Sequence, residues 1–229
     1  MKFNIIVADP PYSFGDKLSM SDVKRGADAQ YATMPVDKIK EIPVNELAAD
    51  DALLVLWVPS SMLQDGLDIM KNWGFEQRQS VIWVKTKQEP LKDITLFIKQ
   101  AFKLGNINLD TFENIAAYIK NFDLNSALGF NMGRIFRNCH EIVLIGIRGN
   151  IYKLLKNKAQ RTVIVDGAKF HSAKTEILQD RLDIMFSGDD ILKLELFARR
   201  QRPGYTCVGL EMPLSESVLV SIERLKSLP

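Results

Sequence analysis

The apolar run Phe3-Asn4-Ile5-Ile6-Val7-Ala8 stops at Asp9-Pro10-Pro11-Tyr12. That boundary constrains the fold more than any other feature of the chain. Each proline lacks the N–H that a sheet ladder needs, so a buried strand must end there in a stiff turn. Apolar runs set against turn signals place further strands near 51–58, 76–85, 140–148, 161–165, 191–197 and 205–210. Helical spacing fills 60–73 before Gly74 and 174–186 before Gly188, with a glycine standing where each helix stops. Strands alternating with helices predict an α/β chain: a mostly parallel seven-stranded sheet with helices on both faces and a site outside the carboxyl ends of its strands. Asp9 stands at such an end.

With 229 residues, 46% of them hydrophobic, the chain can bury a full core, and its length predicts one domain, 1–229, carrying an insertion. The insertion is 88–128. Within it the pattern turns helical without strands, first through Ile94, Phe97, Ile98, Ala101 and Phe102, then through Phe112, Ile115, Ala116 and Ile119. Those apolar faces are expected to pack on each other or on the sheet, and an insertion of this kind is also a place for substrate recognition or a partner contact. No run approaches the roughly 20 apolar residues that cross a bilayer, and no leader pattern precedes the first strand, so the expectation is a cytoplasmic protein without a membrane partner. Cys139 and Cys207 are far apart and there are two histidines, which indicates neither a metal site nor a disulfide framework. Both cysteines are expected to be buried. A net charge of +2 does not by itself announce a nucleic-acid partner. The local clusters Arg134, Arg137 and Arg148, and Arg199, Arg200 and Arg202, suit either phosphate contact or a solvated surface.

The turn has a definite chemical use. An exocyclic amine on an aromatic base is a poor nucleophile, because its lone pair is delocalised into the ring. The Asp9 carboxylate and the Pro10 carbonyl can each accept one N–H of such an amine and fix its orientation. Tyr12 offers a face for a planar base, or else packs half-buried beside the turn. Further along, Glu195 interrupts the apolar strand Lys193-Leu194-Glu195-Leu196-Phe197-Ala198-Arg199, as expected of a carboxylate that binds ribose hydroxyls or pairs with Arg199 or Lys193. In His171-Ser172-Ala173-Lys174-Thr175-Glu176, Ser172 suits a helix cap and Lys174 a carboxylate or phosphate.

Taken in order, VADPPY at 7–12, Gly129-Phe130-Asn131-Met132-Gly133-Arg134 with Arg137, His140 and Glu141, HSAK at 171–174, and ELFAR at 195–199 with Gly204-Tyr205 and Gly209-Leu210-Glu211 resemble the MT-A70 family of S-adenosylmethionine-dependent N6-adenine methyltransferases. The likeness covers most of the chain apart from the insertion. It implies a Rossmann-like methyltransferase fold in permuted motif order, with the catalytic half ahead of the cofactor half. Asp9, Pro10, Pro11 and Tyr12 would be catalytic. S-Adenosyl-L-methionine would lie along Lys174, Glu195, Phe197, Arg199, Gln201, Arg202, Leu210 and Glu211. Arg134, Arg137 and Tyr12 would touch substrate, and no metal takes part. The implied reaction is transfer of a methyl group to adenine N6, with DNA favoured over RNA and the base flipped out or single-stranded. A homodimer or an accessory specificity subunit fits the same resemblance. Its alternatives are an RNA-directed enzyme and a catalytically silent nucleic-acid-binding subunit.

Overall fold

The structure, a computed structural model, describes residues 1–13, 33–87, 96, 98–100, 103, 109–120, 123–129, 131, 133, 135–167, 173–209 and 217–227. Its strands are β1 (Phe3–Ala8), β2 (Ala48–Val58), β3 (Glu76–Thr86), β4 (His140–Arg148), β5 (Val163–Gly167), β6 (Lys193–Leu196) and β7 (Thr206–Val208). They form one seven-stranded sheet in the order β5-β3-β4-β2-β1-β6-β7. β1 runs parallel to both β2 and β6, and β6 is parallel to β7, whereas β2 and β4 are antiparallel. The α/β architecture, with a mostly parallel seven-stranded sheet of Rossmann-like type, matches the expectation from sequence.

The chain divides into two compact units. The first comprises Met1–Ile82, Glu141–Thr162 and Ile177–Pro229; the second comprises Trp83–His140 and Val163–Glu176. In the first unit, β1 is buried along almost its whole length, as a strand with parallel neighbours on both sides should be. The helices here are α1 (Val36–Lys40), α2 (Leu63–Asn72), α4 (Ile177–Met185) and α5 (Val218–Ser227), in a chain-order numbering that leaves α3 to the second unit. The core gathers Ile6, Leu54, Leu56 and Val58 from the sheet with Ile39, Met70 and Ile222 from the helices and Trp73 from the residue that follows α2. The Trp73 indole N–H donates to the Ile39 carbonyl (3.1 Å), which satisfies a buried donor.

In the second unit, α3 (Leu109–Lys120) precedes a short 3₁₀ turn at Leu124–Ala127, capped where the Asp123 carboxylate accepts from the Asn125 N–H (2.9 Å). The Lys87 N–H donates to Ala127 (2.9 Å) and the Gly129 N–H to Lys85 (2.7 Å), so this turn is laced to the end of β3. Residues 96, 98–100 and 103 are helical, while the rest of the expected 94–102 segment lies outside the described residues.

Several boundaries differ from the sequence reading for local reasons. β2 starts at Ala48 and not at 51, because the paired acids Asp50-Asp51 are absorbed into a register irregularity: Phe3 pairs with Ala48 but Ile5 with Leu53. Asp51 is tolerated there because its carboxylate accepts from the Asn150 N–H (2.6 Å) and pairs with Lys153. The second predicted helix starts three residues late, since Thr175 turns its hydroxyl to the Asp166 carboxylate (2.6 Å) and holds the chain out of helical geometry. α5 escaped the sequence reading although Val218, Ser221, Ile222 and Leu225, all buried, carry helical spacing. Cys139 and Cys207 are free and half-buried instead of buried. Among the described residues, no helix is long and apolar enough to cross a membrane.

Two glycines test how stiff the neighbours are. A Cβ on Gly66 in α2 would meet both methyls of Val58, at 2.5 and 2.8 Å, whereas one on Gly146 in β4 would meet the flexible thioether of Met70 at 2.6 Å. Val58 is branched at its β-carbon and fixed in a strand, so it cannot step aside as methionine can. Gly66→Ala should therefore lower the unfolding free energy by about 1–3 kcal/mol, even after the gain in helix propensity. Gly146→Ala should cost less; urea melts of the two variants that rank them the other way would overturn the packing account.

Candidate functional site

The carboxyl ends of β1 and β6 lie side by side. Their register runs Ile5 to Lys193, Ile6 to Leu194, Val7 to Glu195 and Ala8 to Leu196. One residue further on, the Asp9 N–H points to the Leu196 carbonyl (3.5 Å). The chain thus brings the Asp9 turn and the Glu195 strand to one edge, although the two segments stand near opposite ends of the sequence. From β1 the sheet continues to β2 on one side and to β6 and β7 on the other. A parallel strand flanked in this way opens a crevice beyond its carboxyl end.

The turn itself is held from three directions. The Tyr12 N–H donates to the Pro10 carbonyl (2.9 Å), closing a three-residue turn around Pro11. The Met34 N–H donates to Pro11 (2.6 Å) and the Ser13 N–H to Met34 (3.1 Å), so a backbone segment remote in sequence straps the turn. The Tyr12 hydroxyl donates to the Trp57 carbonyl near the end of β2 (3.0 Å). Tyr12 is only 4% exposed and belongs to the core cluster, a deeper placement than the stacking face or half-buried ring expected from sequence. Burial, reinforced by the negative charges of Asp9 and Asp65, pushes the Tyr12 hydroxyl well above the ordinary tyrosine range, so it stays protonated as a donor. Asp9 and Pro11 are partly exposed, whereas Pro10 is buried.

β6 ends abruptly at Phe197, whose φ of +63° lies in the left-handed region. A non-glycine residue there is strained and worth a functional question. The local cause is topological: the chain must return parallel through Phe197–Tyr205 with no helix in the connection, whereas most parallel returns are longer. The Ala198 N–H then donates to the Val208 carbonyl (2.9 Å). Gly209 lies against this turn, and a side chain on it would collide with the Ala198 backbone. Main-chain groups therefore meet directly at this part of the strand end.

The expected cofactor residues are dispersed. Glu195 is half-buried on β6, Phe197 half-buried at its end, and Arg199 and Gln201 exposed on the return loop. Arg202 turns to α4, donating to Asp180 (2.7 Å) and Asp183 (2.9 Å), and its guanidinium lies 5.4 Å from the Tyr205 ring centroid. Lys193, at the other end of β6, donates to the same Asp183 (2.6 Å). A polar pocket of about 600 Å³, lined by Asp183, Lys193, Tyr205 and Thr206, opens at this amino-terminal end of β6 and β7, away from Asp9. In the second unit, Lys174 sits half-buried beside Thr175, which is anchored on Asp166; the Asp166 carbonyl also accepts from the Trp83 indole N–H (3.1 Å). Arg137 is exposed there. Arg134, His171, Ser172, Leu210 and Glu211 lie outside the described residues. The sequence reading missed three positioning groups: the Trp57 carbonyl, the Met34 backbone and Asp166. The first two are main-chain groups and leave no mark in side-chain chemistry.

Removing the Tyr12 hydroxyl leaves a buried carbonyl short of a donor. Tyr12→Phe should lower the unfolding free energy by about 1–2 kcal/mol in chemical denaturation, and an unchanged midpoint would show that the turn needs no fastening at β2. Asp183 supplies a pH handle. Burial opposes its ionisation, but hydrogen bonds and charge from Lys193 and Arg202 outweigh that and hold its carboxyl below the usual range. A depressed folded-state value gives stability that is present above the unfolded value of about 3.9 and is lost as pH falls through the folded one. The stability gap between the native chain and Asp183→Asn should therefore narrow as pH drops from about 6 to about 3. A gap independent of pH would mean that the ion pairs contribute nothing.

A family model described as MT-A70 matches residues 3–106 and 98–211. The type II methyltransferase M.MunI of a Mycoplasma species is 23% identical over 227 residues, covering 93% of this chain and 78% of that protein. The Drosophila melanogaster N(6)-adenosine-methyltransferase MT-A70-like protein is 36% identical over 87 residues, 38% of this chain. The human N(6)-adenosine-methyltransferase catalytic subunit METTL3 is 31% identical over the same length. This chain spans 12% of the Drosophila protein and 13% of the human one. With both the Asp9 turn and the Glu195 strand inside the matched residues, the chain belongs to the MT-A70 family.

Proposed function

We propose that this protein transfers a methyl group from S-adenosylmethionine to the N6 amine of adenine in DNA. The observation that supports the reading is the β1–β6 pairing, which brings the Asp9 turn beside the end of the Glu195 strand, an arrangement that suits an amine held next to a nucleoside. DNA is our choice because the match to the type II methyltransferase M.MunI takes in 78% of that protein, whereas the N(6)-adenosine-methyltransferases of Drosophila, human and rice, the last of them matched along 86% of this chain, are covered over 12%, 13% and 21% of their own length.

The donor set fits such a cofactor. Glu195 brings a carboxylate to the strand end, where a ribose diol has two hydroxyls to donate, with Arg199 and Gln201 following on the exposed loop. Gly209 carries no side chain because the Ala198 backbone packs against it, which lets the return strand close on the left-handed turn at Phe197. Lys174 would pair with the carboxylate of the methionine moiety. Phe197, Arg202, Leu210 and Glu211 complete the family's cofactor set, Arg202 through its hold on α4. When bound, S-adenosylmethionine supplies an electrophilic methyl group; the N6–carbon bond forms as the carbon–sulfur bond breaks, and S-adenosylhomocysteine leaves.

The chain's own contribution is orientation. Asp9 accepts one N–H of the amine. Pro10 accepts the other on the lone pair that Tyr12 leaves open, since a carbonyl oxygen has two. Holding both hydrogens turns the nitrogen lone pair out of conjugation and toward the methyl group. Asp9 need not be a strong base, because the surplus proton on nitrogen is acidic once the methyl group has arrived. Tyr12 keeps the turn in register with β2, and the target base must come from a single strand or be flipped from a duplex to reach it. Arg134 and Arg137 would meet the phosphates, and 88–128 would serve as a recognition or partner element.

The test is incubation with labelled cofactor and matched DNA and RNA oligonucleotides, followed by nucleoside mass analysis. N6-methyladenine should form on DNA and fall at least about a hundredfold in Asp9→Ala. A product methylated on guanine or cytosine would overturn the adenine assignment. Preference for RNA would overturn the substrate, and tight binding with no product on any strand would leave a silent subunit.

A further inference from the structure

Ile135 and Phe136 are 90% and 86% exposed. Two large adjacent apolar side chains on the surface need a reason, because folding would ordinarily hide them. They do not dangle from an unconstrained loop. Asn131 and Asn138 form an antiparallel bridge, with the Asn131 N–H donating to the Asn138 carbonyl (3.2 Å). Within that closure the Phe136 carbonyl packs so tightly on Gly133 that any side chain there would collide with it. The backbone is thus braced to hold Ile135 and Phe136 outward.

Their neighbours indicate the occupant. In sequence the pair is bracketed by Arg134 and Arg137, and Arg137 is exposed. An exposed cation next to an apolar anchor suits a stack of bases, because phosphates flank every step at which an apolar side chain can enter. We infer that Ile135 and Phe136 form a wedge that inserts between base pairs of duplex DNA, with Arg137 on an adjoining phosphate; this rests on DNA being the substrate. Apolar residues used in this way unstack a base step, and unstacking lowers the cost of extruding a base for chemistry.

The experiment needs no knowledge of a recognition sequence. Intercalation unwinds DNA, so closed-circular plasmid relaxed by a topoisomerase in the presence of the protein should show a shifted distribution of topoisomers. Ile135→Ala/Phe136→Ala should abolish that shift and weaken binding to mixed-sequence duplex about tenfold or more, while leaving affinity for single strands within about threefold. Arg137→Gln should reduce the salt dependence of duplex binding by about one phosphate contact. Phe136→Trp should retain unwinding and show fluorescence quenched on binding DNA; its thermal melt and that of the double variant should match the native chain's, since neither site is in the core. If the double variant unwinds plasmid as well as the native chain does, the wedge is wrong. It is also wrong if the variant instead abolishes self-association in light scattering with DNA binding intact. A native chain that unwinds DNA but methylates no adenine would sink the proposed reaction and leave the wedge standing.

Discussion

The parallel ladder between β1 and β6 is the interaction on which the rest of the site depends. It joins Ala8 to Leu196, residues 188 positions apart in a chain of 229. Without it the Asp9 turn would be only the stiff end of a strand and Glu195 only an acid in an apolar run. Such a contact has a high loop-closure cost, because most of the chain must be placed before it forms. In chain order β2 is the first parallel partner to follow β1, and the partner for its other edge, β6, follows only at Lys193–Leu196.

The fold was legible in sequence where burial imposes a pattern. β1, β2 and β4 declare themselves because a strand covered on both faces reads as an uninterrupted apolar run, and Pro10-Pro11 marks where the first must stop. Legibility fails where tertiary partners override local preference. Asp50-Asp51 reads as a turn, yet a neighbouring backbone N–H and Lys153 let it run inside β2. Phe197 belongs to the strand by composition, but the short return to β7 forces it into a conformation that its own chemistry disfavours.

The site was legible to a different degree. Residue types able to carry chemistry are visible as letters, so Asp9, Glu195 and Lys174 stand out in the sequence as candidates. What fixes the Asp9 turn and the end of β6 is mostly invisible, because it is main chain: the Trp57 carbonyl, the backbone of Met34 and the close approach of Gly209 to Ala198. Tyr12 shows the cost of reading letters alone. An aromatic beside such a turn suggests stacking, and only the folded chain reveals that its ring is packed in the core with its hydroxyl engaged.

That fastening has an uneven genetic footprint. Its acceptor is a peptide oxygen, which every amino acid at position 57 would supply, while its donor is one phenol that nothing but tyrosine provides at that reach. For this bond, drift at position 57 meets no side-chain requirement, whereas drift at position 12 must keep the phenol as well as the volume of a buried ring. The two ends of one bond answer to different selective pressures, and only one of them can be broken by a single change of side chain.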